Sequence, residues 1–174
     1  MIYHIYSDYS STDEGSSYAF VVVCYDNGTP TFVKSGSRKL KLNHNTFVGE
    51  IMGSLAGIRC LPDGSNAIVY SDIAGVQKLV KSQRKRTRRQ LSRQQKEILV
   101  HRKRLLGLQL MYLEKKKRPQ AYHWCHKKAR SRILAQISEP SKIQDFSEKQ
   151  MMAFFTKPNM KKKKKKRPVV AKVA

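Results

Sequence analysis

The sequence predicts an α/β fold, a mixed β-sheet with helices packed on it. Two patterns point there. Three strand-like segments follow one another through short turns near the start of the chain, and strand and helix signals alternate after them. A third observation bounds the fold: the chain has 174 residues, 40% of them apolar, enough for one domain with a core of its own.

Met1 to Ser7 reads as a buried strand that ends at Asp8. Ser10 to Ser17 is turn-like, rich in Ser, Thr, Asp and Gly. Tyr18-Ala19-Phe20-Val21-Val22-Val23-Cys24-Tyr25 is the strongest strand signal, and Asp26-Asn27-Gly28-Thr29-Pro30 closes a turn before a third strand from Thr31 to Ser35. A helix follows, capped at Asn45 or Thr46, with Phe47, Ile51, Leu55 and Ile58 at helical spacing. Leu61-Pro62-Asp63-Gly64 breaks it. Ala67 to Tyr70 is a short buried strand ending at Ser71-Asp72, and Ile73 to Val80 reads as another helix.

Residues 81–118 are helical in pattern and heavily basic. Leu91, Ile98 and Leu105 form one apolar stripe, and Leu99, Leu106, Leu110 and Leu113 another. Ala121-Tyr122-His123-Trp124-Cys125 is the expected fifth strand, and Ala129 to Ile137 the last helix, stopped by Pro140. A short helix is expected around Met151-Met152-Ala153-Phe154-Phe155. From Lys157 the chain reads as a disordered-type polylysine tail with nothing to bury. The expected organisation is one domain over 1–137, containing the basic helical region 81–118, and a basic C-terminal extension over 138–174.

Charge divides the chain. Residues 1–80 carry six Lys/Arg against seven Asp/Glu, and residues 81–174 carry thirty against five, within a net charge of +24. Such asymmetry predicts a nucleic-acid partner, because each neutralised phosphate releases counterion. The phosphate contacts are expected from Arg84, Lys85, Arg86, Arg88 and Arg89, from Lys127 and Lys128, and from Lys161, Lys162, Lys163 and Lys164. A membrane is not the expected partner. No apolar run approaches the roughly 20 residues of a bilayer span, and the basic segment before residue 115 lacks the Trp or Phe of an interfacial anchor.

The start of the chain lacks the basic and apolar regions of a secretory signal. Cys24, Cys60 and Cys125 are an odd, widely spaced set, which argues against a disulfide framework. A reducing, intracellular setting is expected, cytoplasmic by default, with a nuclear address the other reading of the Lys/Arg-rich tail. Nothing in the sequence sets an oligomeric state.

Three carboxylates stand where chemistry would want them. Asp8 ends the first strand, Glu50 lies in the first helix, and Asp72 ends the fourth strand. Ligands of open sheets gather at strand ends. Three carboxylates converging there repel one another unless they share a cation, and Mg²⁺ suits hard oxygen ligands and keeps waters.

Ile5-Tyr6-Ser7-Asp8-Tyr9-Ser10 resembles the first-strand motif of the ribonuclease H family, a hydrophobic residue followed by Thr/Ser-Asp-Gly-Ser. Asn45-Thr46-Phe47-Val48-Gly49-Glu50, followed by Leu55-Ala56-Gly57-Ile58, is similar to the helix start that supplies the family's glutamate. Ile68-Val69-Tyr70-Ser71-Asp72-Ile73-Ala74-Gly75-Val76 resembles its fourth strand and Asp turn. The resemblance spans residues 1–137 and is most specific in the first 80. It implies a five-stranded mixed sheet flanked by helices, with 81–118 placed as the basic helical insertion that grips the duplex. It also implies two Mg²⁺ or Mn²⁺ ions on Asp8, Glu50 and Asp72, and cleavage of the RNA strand of an RNA–DNA hybrid. Integrase-like relatives draw their glutamate from a helix after the fourth strand, whereas Glu50 precedes it, which favours ribonuclease H proper.

Three departures stand beside the resemblance. Tyr9 follows Asp8 where glycine is usual, and the helix start lacks Thr-Asn-Asn. The family's fourth acid, in a pattern Asn-x-x-Ala-Asp-x-Leu-Ala, falls on Arg132 when laid over Lys128 to Ala135. A cation there would oppose a second metal ion. His126 joins the expected catalytic set through a role in product release seen in some relatives, with a phosphate contact as its other reading. His123-x-Cys125-His126 is too tight for tetrahedral zinc. The expected function is a metal-dependent endonuclease acting on RNA–DNA hybrids. The alternative is a non-catalytic protein of the same fold, anchored by its basic half to structured RNA in a ribonucleoprotein such as a ribosome.

Overall fold

A meander of three long antiparallel strands opens the chain. A computed structural model describes residues 1–41, 44–74, 76–77 and 93–134. Strand β1 (Ile2–Thr12) pairs with β2 (Gly15–Asp26), which pairs with β3 (Thr29–Leu40). Ser10 to Ser17, expected as a turn, is a continuation of the ladder. Ser10 faces Ser17, Ser11 faces Ser16 and Thr12 faces Gly15, leaving Asp13-Glu14 as the turn. The polar composition misled because Ser16 and Ser17 are buried and packed within the sheet instead of solvated. The second turn is Asn27-Gly28, both at positive φ (48° and 82°), whose twist matches that of the strands it joins.

After the meander the chain crosses over. Helix α1 (Thr46–Ile58) leads to β4 (Asn66–Ser71), which lies parallel to β1. Helix α2 (Arg93–Arg104) leads to β5 (Gly107–Tyr112), parallel to β4. Helix α3 (Gln120–Leu134) ends the described chain. The sheet order is β3-β2-β1-β4-β5, the five-stranded mixed sheet flanked by helices that the sequence predicts.

The second half differs from expectation in two places. Residues 81–118 are not helical throughout, because Gly107 to Tyr112 form the fifth strand. There Leu108 and Leu110 face inward while Gln109 and Met111 point out, a period of two hidden in a leucine-rich run. Leu106, assigned to a helical stripe, is 79% exposed. Conversely, Ala121 to Cys125 is not a strand but the first turns of α3. Its Tyr, Trp and Cys favour strands intrinsically, yet Ala121, Cys125, Ala129 and Ile133 recur every four residues and are all buried. Pro119 precedes the helix and its carbonyl accepts from the Tyr122 and His123 N–H groups. Ile73 and Ala74 form a bend, and Val76-Gln77 a short 3₁₀ turn, in place of the expected helix start. The segments Gln83 to Arg89, Met151 to Phe155 and the tail from Lys157 lie outside the described residues.

Two cores sandwich the sheet. Ile5, Tyr9, Tyr18, Phe20, Val22 and Val69 pack with Ile51, Leu55 and Ile58 of α1 and Ile98 of α2. Tyr6, Ala19, Val21 and Val23 pack on the other face with Ala121, Trp124, Cys125 and Ala129 of α3. Basic α2 is tied into this frame. The Arg104 guanidinium donates to the Ile58 and Leu61 carbonyls and to Asp63 at 2.7 Å each, closing the open end of α1, and Arg59 pairs with Glu97 at 2.6 Å. One cation of the basic region, Arg104, thus has a structural role.

Candidate active site

Helix α1 lies close on β1 because one of its faces is glycine. Gly49, Gly53 and Gly57 stand one turn apart, and a Cβ at Gly49 would run into the Tyr9 ring, one at Gly57 into Ile5. Ser54 Oγ meets Ser7 Oγ at 3.0 Å across the same contact. Asn45 caps the helix, accepting from the Phe47 N–H at 2.9 Å. This close approach carries Glu50 onto β1 at Tyr9. Its Oε1 accepts from the Tyr9 N–H at 3.0 Å.

Asp8, Glu50 and Asp72 therefore converge, with one oxygen from each lying within 4.8 Å of the others. Both oxygens of Asp8 are held from α3: Tyr122 Oη donates to Oδ1, and His126 Nδ1 lies 2.9 Å from Oδ2. Asp72 Oδ2 pairs with Arg118 Nη2 at 2.9 Å, and the same guanidinium lies over the Tyr122 ring, 4.7 Å from its centre.

Burial dominates the electrostatics. Glu50 is 3% exposed and its pKa is pushed well above the ordinary carboxylate range, first by burial and then by Asp8 and Asp72; the Tyr9 N–H and Arg118 pull the other way. Burial also raises Asp8, against hydrogen bonds from Tyr122 and His126. The Tyr122 hydroxyl is raised by burial and by the Asp8 charge beside it, so it stays a donor. Burial pushes up the Cys125 thiol as well, leaving it an inert packing group.

The donor set fits a hard divalent cation. Glu50 Oε2 is buried and has no hydrogen-bond partner among the described residues. A carboxylate oxygen left unpaired in that position is costly unless a cation meets it. Among the described residues no fourth acid joins the three.

Of the expected site residues, the structure brings together Asp8, Glu50, Asp72 and His126. His126 is on a helix, not in a basic loop, with its side chain 53% exposed beside a buried Asp8. Arg132 does not take the place of a fourth acid. It is exposed in the last turn of α3, and the residues of that helix that face Asp8 are Tyr122 and His126. The misplacement follows from starting the helix at Ala129, nine residues late. Lys127 is exposed, whereas Lys128 is only 8% exposed and offers little open surface to a phosphate. Arg84, Lys85, Arg86, Arg88, Arg89 and Lys161 to Lys164 lie outside the described residues. Sequence reasoning missed Tyr122 and Arg118. The Arg118-Pro119 pair ahead of a four-residue apolar period was the signal for both.

No family model and no curated protein matches the sequence. Solved structures do match the fold. The N-terminal ribonuclease H domain of a Mycobacterium tuberculosis protein superposes with a TM-score of 0.58 at 14% identity, covering 79% of this chain and 99% of that one. Ribonuclease H1 of the halophilic archaeon Halobacterium salinarum gives 0.52 at 13% identity, over 74% of this chain and 100% of its own. The fold is that of ribonuclease H. A third structure of this fold, LC11 ribonuclease H1 in complex with an RNA/DNA hybrid, gives a TM-score of 0.52 at 13% identity, over 75% of this chain and 99% of that one. Asp8 is not at the expected end of the first strand: β1 runs on to Thr12, and Asp8 stands just past its last pair with β4, while Asp72 follows the end of β4 and Glu50 stands on the facing helix.

Proposed function

We propose that this chain is a divalent-metal-dependent nuclease that cleaves the RNA strand of RNA–DNA hybrids. The observation that carries the reading is buried Glu50, whose Oε2 lacks a partner among the described residues while Asp8 and Asp72 stand beside it. Asp8, Glu50 and Asp72 would hold Mg²⁺ or Mn²⁺, which when bound supplies Lewis acidity and an activated water for phosphodiester attack.

The protein's own groups prepare the site. Tyr122 and His126 fix the Asp8 carboxylate, and the Tyr9 N–H fixes Glu50. His126, half exposed beside Asp8, would assist product release. Lys127, with Arg84, Lys85, Arg86, Arg88, Arg89 and Lys161 to Lys164, binds the phosphate backbones. The alternative of an RNA-anchored platform in a ribonucleoprotein rests on the charge of residues 81–174 alone.

The test is Mg²⁺-dependent cleavage of an end-labelled RNA–DNA hybrid by the full chain beside Asp72→Asn. The expected result is cutting of the RNA strand that falls more than about 100-fold in the variant, beyond the loss typical of an outer-shell partner. Binding of hybrid without cleavage by either protein would sink the enzymatic reading and leave the platform.

A further inference from the structure

Arg118 is the one guanidinium hydrogen-bonded to the carboxylate cluster among the described residues. It sits just before α3, between the 3₁₀ turn Lys115–Lys117 and Pro119, so the backbone that starts the helix also aims its side chain. Nη2 holds Asp72 Oδ2 at 2.9 Å, the plane rests over Tyr122, and its charge is felt at Glu50. Tyr122 in turn grips Asp8, so one guanidinium touches two of the three arms of the cluster, directly or through one ring. Its Nε is buried and, like Glu50 Oε2, has no partner among the described residues. The two orphaned atoms ask for different things: the carboxylate oxygen lacks a cation, the guanidinium nitrogen lacks an acceptor.

We propose that Arg118 is a built-in cation of this site, neutralising Asp72 in place of a second divalent ion, so that the cluster takes one ion and not two. The inference rests on the metal-site reading above. The Arg118 guanidinium, 2.9 Å from Asp72 Oδ2, holds the oxygen that a further ion would need, and a second cation on that oxygen would be repelled by it. No fourth carboxylate among the described residues offers a second ion compensation. Arg118 is then a positioning residue: it orients Asp72 and sets the ion count.

The experiment counts bound Mn²⁺ on the full chain by electron paramagnetic resonance of the free ion, without nucleic acid, with Asp8→Asn as the background. Wild type is expected to bind one ion above that background. Arg118→Ala, and Arg118→Gln, which keeps a polar side chain without the charge, are expected to bind a second ion or to bind the first about tenfold more tightly. Two ions on wild type, no ion on wild type, or the same count and affinity in both Arg118 variants would each overturn the proposal. Hybrid cleavage is scored separately. One bound ion with no cleavage leaves the ion count standing and defeats the nuclease reading alone.

Discussion

Glu50 is a buried carboxylate whose surroundings oppose its charge. Its carboxylate is buried against Asp8 and Asp72, with one N–H to satisfy Oε1 and nothing for Oε2 among the described residues. Its folded-state pKa lies well above the ordinary value of 4.5. Between those two points the folded state binds more protons than the unfolded state, so stability falls as pH rises through the window. Asp8, also raised, adds in the same direction. In chelator, Glu50→Gln is therefore expected to raise Tm at pH 8 by several degrees, and to raise it little near pH 4. Saturating Mg²⁺ should reverse the order at pH 8, since the ion stabilises wild type by mass action and has lost a ligand in the variant. Parallel Tm-against-pH curves for the two proteins would show that Glu50 is neutralised in some other way.

At the scale of elements, legibility followed how local the signal was. The strand centres of the meander, α1 and β4 were readable because their apolar runs and helical spacing are local, and they position Asp8, Glu50 and Asp72. The exchange of strand and helix between β5 and α3 was not readable, because leucine favours helices and Tyr-His-Trp-Cys favours strands, and only packing against β4 or the α3-side core decides. That error moved the helix start and hid Tyr122 and Arg118. The Gly49, Gly53, Gly57 stripe is a different case: it was visible as a spacing, but its meaning is the distance between α1 and β1. Gly57→Ala should cost about 1–3 kcal/mol, because its Cβ meets Ile5, itself fully buried and unable to give way. Urea unfolding measures this, and a midpoint unchanged from wild type would mean that α1 can lift off the sheet freely. The same variant should lower metal affinity, since lifting α1 withdraws Glu50 from Asp8.

For the molecule as a whole, the fold accounts for the acids but not for the amount of positive charge. Several described cations are committed internally: Arg104 to the end of α1, Arg59 to Glu97, Arg118 to Asp72. The cations left to bind phosphate are then concentrated in stretches such as Arg84 to Arg89 and Lys161 to Lys166. If those stretches contact the backbone, hybrid affinity should fall about 10³–10⁵-fold between 50 and 200 mM salt, as for a protein with about 6–10 phosphate contacts. Replacing Lys161, Lys162, Lys163 and Lys164 by alanine should then flatten the logarithmic salt slope by about 2–4 units. Single-turnover cleavage of pre-bound hybrid should be unchanged, because these lysines contribute charge and not a ligand to the carboxylate cluster. Fluorescence anisotropy across a salt series measures the slope. An unaltered slope in the fourfold variant would mean that Lys161 to Lys164 make no phosphate contacts in the complex.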